Sequence, residues 1–280
     1  MEIILAQHAG FCFGVKRATK MAFAASEEYE QIHSLGPLIH SPQVVEKLEQ
    51  EGVQVCQRVT DIPGGAVLIR SHGVTAGEIE EIHEQQLEIV DATCPFVKKA
   101  QDYAAQLSQE GYQLVLIGEA DHPEVQGICS YAEGEVFVVA SAEEAHKLPR
   151  LAKIGIVAQT TQSLENMQEI VSICLAKAKE LRAYNTICDA TILRQSEARS
   201  IAAQVDLMLV IGGFNSANTT RLASLCREQQ PCTYHIEIAS EVRPEWLVGK
   251  EKIGITAGAS APGWIIDDVL TRIEEISAGQ

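Results

Sequence analysis

Short apolar runs alternate with helical patterns along this chain, and the alternation recurs three times. One set of runs reads Gln31-Ile32-His33-Ser34-Leu35-Gly36, Leu114-Val115-Leu116-Ile117-Gly118 and Leu207-Met208-Leu209-Val210-Ile211-Gly212. Their length, branched residues and closing glycine predict buried strands that end in turns, the first being the weakest copy. A helix and another strand follow each: Val53-Gln54-Val55, Val136-Phe137-Val138-Val139 and Thr233-Tyr234-His235-Ile236. A third strand then runs into a second polar turn. Val67-Leu68-Ile69-Arg70 leads to Ser71-His72-Gly73, Lys153-Ile154-Gly155-Ile156 to Gln159-Thr160-Thr161-Gln162-Ser163, and Lys252-Ile253-Gly254-Ile255 to Ala257-Gly258-Ala259-Ser260-Ala261-Pro262. The last two strands share Lys-Ile-Gly-Ile outright. A helix follows each turn, as over residues 264–276.

A cysteine holds the same place in each repeat. Cys12, Cys94 and Cys188 each close a short apolar run and open a helical pattern: Val15, Ala18, Ala22, Ala25; Val97, Ala100, Ala104, Leu107; and Ala198, Ile201, Ala202, Val205. Pro95 suits a first helical turn. Short strands at Leu87-Glu88-Ile89-Val90 and Asn185-Thr186-Ile187 are expected to lead to Cys94 and Cys188. The third repeat lacks such a strand, and Glu2-Ile3-Ile4-Leu5-Ala6 supplies it from the N-terminus. The units are therefore 13–94, 95–187 and 188–280, the last completed by 1–12. Strand–helix alternation predicts an α/β fold of mostly parallel sheets, with ligands beyond the carboxyl ends of the strands. Pseudo-threefold packing would gather the three cysteines and the polar turns at one central site.

Composition narrows the function. The 280 residues carry a net charge of −16, with 46% hydrophobic and 21% charged residues, as in an ordinary folded protein. So acidic a chain is a poor partner for nucleic acid or an anionic membrane. The first residues lack the basic and apolar regions of a signal peptide, and no apolar stretch is long enough to span a bilayer. Eight cysteines in such a chain predict reduced thiols in the cytoplasm, and a metal or catalytic role before a disulfide one.

Three thiolates without a fourth leave one metal position open, which suits catalysis. The plainer reading is three separately buried cysteines, and it does hold for Cys56, Cys129, Cys174, Cys226 and Cys232, which have no counterparts in the other repeats. His40, His72 and His122 stand at strand-end turns and can donate to phosphoryl oxygens. Ser216, Asn218 and Ser260 are neutral donors at the third repeat's turns, several of them just before helices, where free N–H groups attract anions. Simple turn caps are the alternative. A diphosphate-sized anion fits this set. Glu124, beside His122, could relay a proton as a general acid, and Thr160 and Thr161 could orient a substrate hydroxyl. His8, His33, His83, His146 and His235 lack such placement.

Gly10-Phe11-Cys12-Phe13-Gly14-Val15, Gly36-Pro37-Leu38-Ile39-His40, Arg70-Ser71-His72-Gly73-Val74, Asp91-Ala92-Thr93-Cys94-Pro95, His122-Pro123-Glu124-Val125, Gln159-Thr160-Thr161, Thr186-Ile187-Cys188 with Arg194-Gln195, Asn215-Ser216 and Thr256-Ala257-Gly258-Ala259-Ser260 run in order along nearly the whole chain. This series resembles the 4-hydroxy-3-methylbut-2-enyl diphosphate reductases, the IspH/LytB family. The resemblance implies the final step of the non-mevalonate isoprenoid pathway. In it the allylic C4 hydroxyl is removed with two electrons and two protons, giving isopentenyl and dimethylallyl diphosphate. It implies a four-iron four-sulfur cluster on Cys12, Cys94 and Cys188, whose fourth iron has no cysteine and meets the substrate hydroxyl as a Lewis acid. It implies His40, His72, His122, Ser216, Asn218 and Ser260 as diphosphate ligands, with Glu124 and His122 serving proton delivery and Thr160 the hydroxyl. The implied electron donor is a ferredoxin or flavodoxin.

Two positions depart from the family pattern. Ser216 is followed by Ala217 where a second serine is usual, and Phe214 stands where lysine commonly precedes the asparagine. A neutral hydrogen bond is worth about 0.5–1.5 kcal/mol, so weaker diphosphate affinity is expected rather than lost chemistry. Two other functions share parts of this sequence. An iron–sulfur sensor of phosphorylated metabolites would keep the cysteines but not need Glu124, and a cluster-free sugar-phosphate enzyme would not need the cysteines.

Overall fold

The computed structural model describes residues 1–278. Its strands are β1 Glu2–Leu5, β2 Ile32–Leu35, β3 Val53–Cys56, β4 Ala66–Ile69, β5 Glu88–Asp91, β6 Gln113–Ile117, β7 Val136–Val139, β8 Leu151–Ala158, β9 Ala178–Ala183, β10 Leu207–Ile211, β11 Thr233–Ile236 and β12 Lys252–Ala257. They make three four-stranded sheets, ordered β3-β2-β4-β5, β7-β6-β8-β9 and β11-β10-β12-β1. Every pairing is parallel. The order is the same in all three sheets, and in the third the N-terminal strand takes the place that β5 and β9 fill in the others. The chain divides into two compact units. One holds residues 1–16, 40–44 and 189 onward, with the third sheet; the other holds 17–39 and 45–188, with the first two.

Alternating side chains divide each sheet between two cores. On β10, Leu207, Leu209 and Ile211 face Ile265, Val269 and Ile273 of the helix Gly263–Ala278. Met208 and Val210 face Ala198 and Ile201 of the helix Asp189–Ala202, with Leu222 and Cys226 of the helix Ala217–Gln229. On β6, Leu114 and Leu116 pack on Ala100, Ala104 and Leu107 of the helix Pro95–Gln109. Such period-two burial on both faces is what covered parallel sheets require.

The shared Lys-Ile-Gly-Ile has a packing cause. Gly155 pairs with Leu114, and Gly254 with Met208. A Cβ on Gly155 would lie 3.0 Å from both Leu107 methyls and from Tyr112 Cβ. On Gly254 it would lie 2.6 Å from Met208 Sδ and 2.7 Å from Ile201 Cγ2. In both repeats, therefore, the helix that starts after the cysteine lies against a bare backbone. The first sheet has the small, buried Ala66 at this register, opposite Ile32.

One expected strand is displaced. Asn185-Thr186-Ile187 is not a strand; the fourth strand of its sheet is β9, at Ala178–Ala183. Its sequence, Ala-Lys-Glu-Leu-Arg-Ala, reads as helical and polar. Pairing with β8 overrides that local preference, and the charges suit an exposed sheet edge. Residues 185–187 form a turn instead, in which Asn185 Oδ1 accepts the Ile187 N–H at 3.1 Å.

Gly155→Ala and Gly254→Ala should each lower stability by about 1–3 kcal/mol through overpacking. Denaturant midpoints should show the larger loss at Gly254, and unchanged midpoints would contradict the close helix–sheet contact.

Candidate active site

The three cysteines are held alike. The Cys94 N–H donates to the Ser71 carbonyl at 2.9 Å, the Cys188 N–H to Thr160 at 3.0 Å and the Cys12 N–H to Ala259 at 3.3 Å. Each acceptor lies two residues beyond the end of β4, β8 or β12. Each cysteine directly precedes a helix: Phe13–Glu28, Pro95–Gln109 or Asp189–Ala202. The first-turn backbone N–H groups of each helix are therefore close to its cysteine. None of the three forms a disulfide, and all are partly exposed. The other cysteines form no disulfide either, and burial alone pushes Cys129 up to about 11 and, as the main cause, Cys226 up to about 12, which keeps these two inert thiols.

Cys94 and Cys188 also share a turn. Asp91 Oδ1 accepts the Thr93 N–H at 2.9 Å, as Asn185 does for Ile187, three residues before each cysteine. Arg17 donates to the Thr93 and Asp91 carbonyls, and Lys98 pairs with Asp91 at 2.5 Å. Burial raises the Asp91 pKa, but the Lys98 and Thr93 bonds outweigh it and the net shift is downward. Cys12 has no such turn. Its loop is clamped from the helix Asp189–Ala202, where Glu197 accepts the Gln7 and His8 N–H groups at 2.8 and 2.9 Å and Arg194 donates to the Gly10 carbonyl at 2.7 Å. Sequence reasoning missed Arg17 and Glu197. The contact from Glu197 spans 190 residues, and no local pattern marks it.

Glu124 and Thr160 meet beside Cys188. Glu124 lies in the first turn of the helix Pro123–Ser130 and is fully buried. Its Oε1 accepts the Thr160 N–H at 2.6 Å, and its Oε2 lies 3.0 Å from Thr160 Oγ1. The Glu124 N–H donates to His122 Nδ1 at 3.1 Å. The rings of His122 and His72 meet edge to face, 5.6 Å apart. Burial pushes the Glu124 carboxyl up to about 7, against the two Thr160 bonds that favour its charged form; Glu119 adds to the rise. Because an N–H only donates, Oε1 stays an acceptor. A proton on Glu124 therefore sits on Oε2, facing the Thr160 hydroxyl, which can pass it onward. His72, His122, Glu124, Thr160, Cys94 and Cys188 all belong to one of the two compact units.

Cys12, His40, Ser216, Asn218 and Ser260 belong to the other unit. Ser216 caps the helix Ala217–Gln229, accepting the Thr219 N–H at 3.3 Å. Asn218 is buried in the first turn, and its Nδ2 has no hydrogen-bond partner among the described residues. Ser260 follows Ala259, the acceptor for Cys12, in the turn beyond β12. The His40 carbonyl lies against the turn that leads to Ser216, where a Cβ on Gly213 would come within 2.9 Å of it. Phe214 is half exposed and rests on the His235 ring, 4.7 Å away. Among the described residues, no helix is long and apolar enough to cross a membrane.

Comparison with known proteins gives the same answer throughout. The LytB protein family matches residues 3–274. A protein of Syntrophotalea carbinolica named 4-hydroxy-3-methylbut-2-enyl diphosphate reductase is 63% identical, over 99% of this chain and all of the relative. One of that name from Geobacter sulfurreducens is 60% identical over 98% of both chains. Among solved structures, an (E)-4-hydroxy-3-methyl-but-2-enyl diphosphate reductase described as the terminal enzyme of the non-mevalonate pathway is 44% identical, with TM-score 0.72 over 98% of this chain and all of its own. The Plasmodium falciparum E-1-hydroxy-2-methyl-but-2-enyl-4-diphosphate reductase is 27% identical, with TM-score 0.90 over 98% of this chain and 87% of its own.

The Glu124 carboxyl titrates near 4.5 in the unfolded chain and about 7 in the folded one. Between those values the folded state holds a proton that the unfolded state has released. Stability from this site is therefore complete below about 4.5 and is lost as pH rises towards 7. Unfolding measured across that window should show a downward slope in the wild type that Glu124→Gln removes; equal slopes would contradict the buried, proton-holding carboxyl.

Proposed function

This chain belongs to the LytB protein family, and from that premise we propose that it reduces 4-hydroxy-3-methylbut-2-enyl diphosphate. The C4–O bond breaks, two electrons and two protons enter, water leaves, and isopentenyl or dimethylallyl diphosphate remains. The observation that carries this reading is the buried Glu124–Thr160 pair. Its threonine is also the backbone acceptor for Cys188. A proton source poised near pH 7 thus adjoins a candidate metal ligand.

We read residues 13–94, 95–187 and 188–280 with 1–12 as three repeated units that present Cys12, Cys94 and Cys188 to one four-iron four-sulfur cluster. The chemistry of the donors fits such a group: three reduced thiols, each at a helix N-terminus, and no fourth repeat to supply another. When bound, the cluster would supply the electrons and, at its iron without a cysteine, a Lewis acid for the C4 oxygen. The protein's own residues supply the rest. His40, His72, His122, Ser216, Asn218 and Ser260 hold the diphosphate by hydrogen bonds, with the helix N-terminus at Ser216 adding a favourable dipole. The proton on Glu124 Oε2 moves through Thr160 Oγ1 to the departing oxygen, and His122, bonded to the Glu124 N–H, keeps that carboxyl in place. The C4 oxygen needs a proton only as its bond to carbon weakens, so a neutral carboxylic acid is the right donor at neutral pH. The electrons come from a small cytoplasmic carrier of the ferredoxin or flavodoxin class.

The test is an anaerobic assay with the hydroxylated diphosphate and a chemical reductant, following both isopentenyl and dimethylallyl diphosphate. Turnover is expected, with kcat lowered about 10²–10⁴-fold by Glu124→Gln. Substrate binding without any product would favour a sensor instead. Full activity in Glu124→Gln would remove the carboxyl from proton delivery.

A further inference from the structure

The first turn of the helix Ala217–Gln229 settles which way the Ser216 hydroxyl points. Thr219 is fully buried there. Its backbone N–H donates to Ser216 Oγ at 3.3 Å, and its hydroxyl donates to the same oxygen at 3.0 Å. A serine oxygen has two lone pairs and one proton. Thr219 occupies both lone pairs, so the Ser216 proton is left to point away from it. The opposite polarity, with Ser216 donating, would strand the Thr219 proton. That hydroxyl is enclosed by bare backbone: a Cβ would come within 2.1 Å of Thr219 Oγ1 if built on Gly258 and within 2.9 Å if built on Gly212. A buried hydroxyl with no acceptor is costly, so Thr219 donates.

Two unspent donors therefore stand on one helical turn: the Ser216 hydroxyl and the Asn218 amide, whose Nδ2 is buried without a partner among the described residues. We propose that Thr219 is a positioning residue that makes Ser216 an obligate donor and thereby sets the affinity of this turn for a phosphate oxygen. The proposal rests on the assignment of Ser216 to the diphosphate. It gives the two glycines a reason, since only glycine at 212 and 258 leaves room for the Thr219 side chain. It also gives weight to Ala217. With the neighbouring position lacking a hydroxyl, the orientation of the one that remains matters more.

Binding of inorganic diphosphate to the full-length protein, purified anaerobically, tests this without turnover. Thr219→Val keeps the shape and removes the donor. It should weaken binding about 5–10-fold, the effect of one hydrogen bond to an anion. Thr219→Ser should restore affinity to within about twofold. In a Ser216→Ala background, Thr219→Val should make no further difference. With substrate, Thr219→Val should raise KM and leave kcat nearly unchanged. Thr219→Val binding as tightly as wild type overturns the proposal, as does an equal loss in the Ser216→Ala background, which would mean a merely structural role. If Thr219→Val fails to fold, Thr219→Ser decides: retained affinity supports a hydroxyl requirement, and a loss as large as that of Ser216→Ala contradicts it. Wild-type protein that takes up no diphosphate overturns the reading of the site, and this proposal with it.

Discussion

Each of the three cysteines hangs from the same backbone hydrogen bond, and much else follows from it. The N–H of Cys94, Cys188 and Cys12 reaches back to a carbonyl just past β4, β8 and β12. That bond fixes where the following helix starts, so the positive end of the helix faces the thiol. It also ties each cysteine to a turn that carries a candidate substrate group. Ser71 precedes His72, Thr160 is itself one of those groups, and Ala259 precedes Ser260. Candidate metal ligand and candidate substrate contact are thus tied together through one backbone hydrogen bond in each repeat.

The loops are made rigid in different ways around this common bond. Asp91 and Asn185 close the same small turn ahead of Cys94 and Cys188. The Cys12 loop relies on Glu197 and Arg194 from a distant helix. The difference follows from where the strands come from. β5 and β9 lead to their cysteines through the short Asp91 and Asn185 turns, whereas β1 joins the third sheet from the far end of the chain, and its loop is held from a distant helix. Buried polarity is then spent sparingly. Glu124 satisfies Thr160 twice and is left near neutrality in its charge, while Thr219 directs Ser216 outward.

Much of this was legible in the sequence, for a physical reason. Buried parallel strands are short, apolar and rich in branched residues, so among the described residues eleven of the twelve strands stand near where the pattern puts them. The exception, β9, is a charged edge strand whose identity comes from pairing with β8 and not from its own residues. The recurrent Lys-Ile-Gly-Ile carried information about helix packing that only Leu107 and Ile201 make visible. The candidate site was legible as residue types at strand ends, and the family motifs named the residues proposed for it. What the sequence could not show was polarity within it. That Glu124 is buried against Thr160, that Glu197 clamps Cys12 and that Thr219 orients Ser216 all depend on contacts between segments or on the direction of a proton.

In the proposed reaction Cys12, Cys94 and Cys188 hold one cluster with an iron open to substrate. Mössbauer spectroscopy of the iron-57-enriched protein, prepared anaerobically, reads that iron by itself. About four irons per chain are expected, one of them distinct from the rest and changed by adding the hydroxylated diphosphate. Irons that are all alike and indifferent to substrate, or a spectrum unaltered by Cys94→Ser, would contradict it.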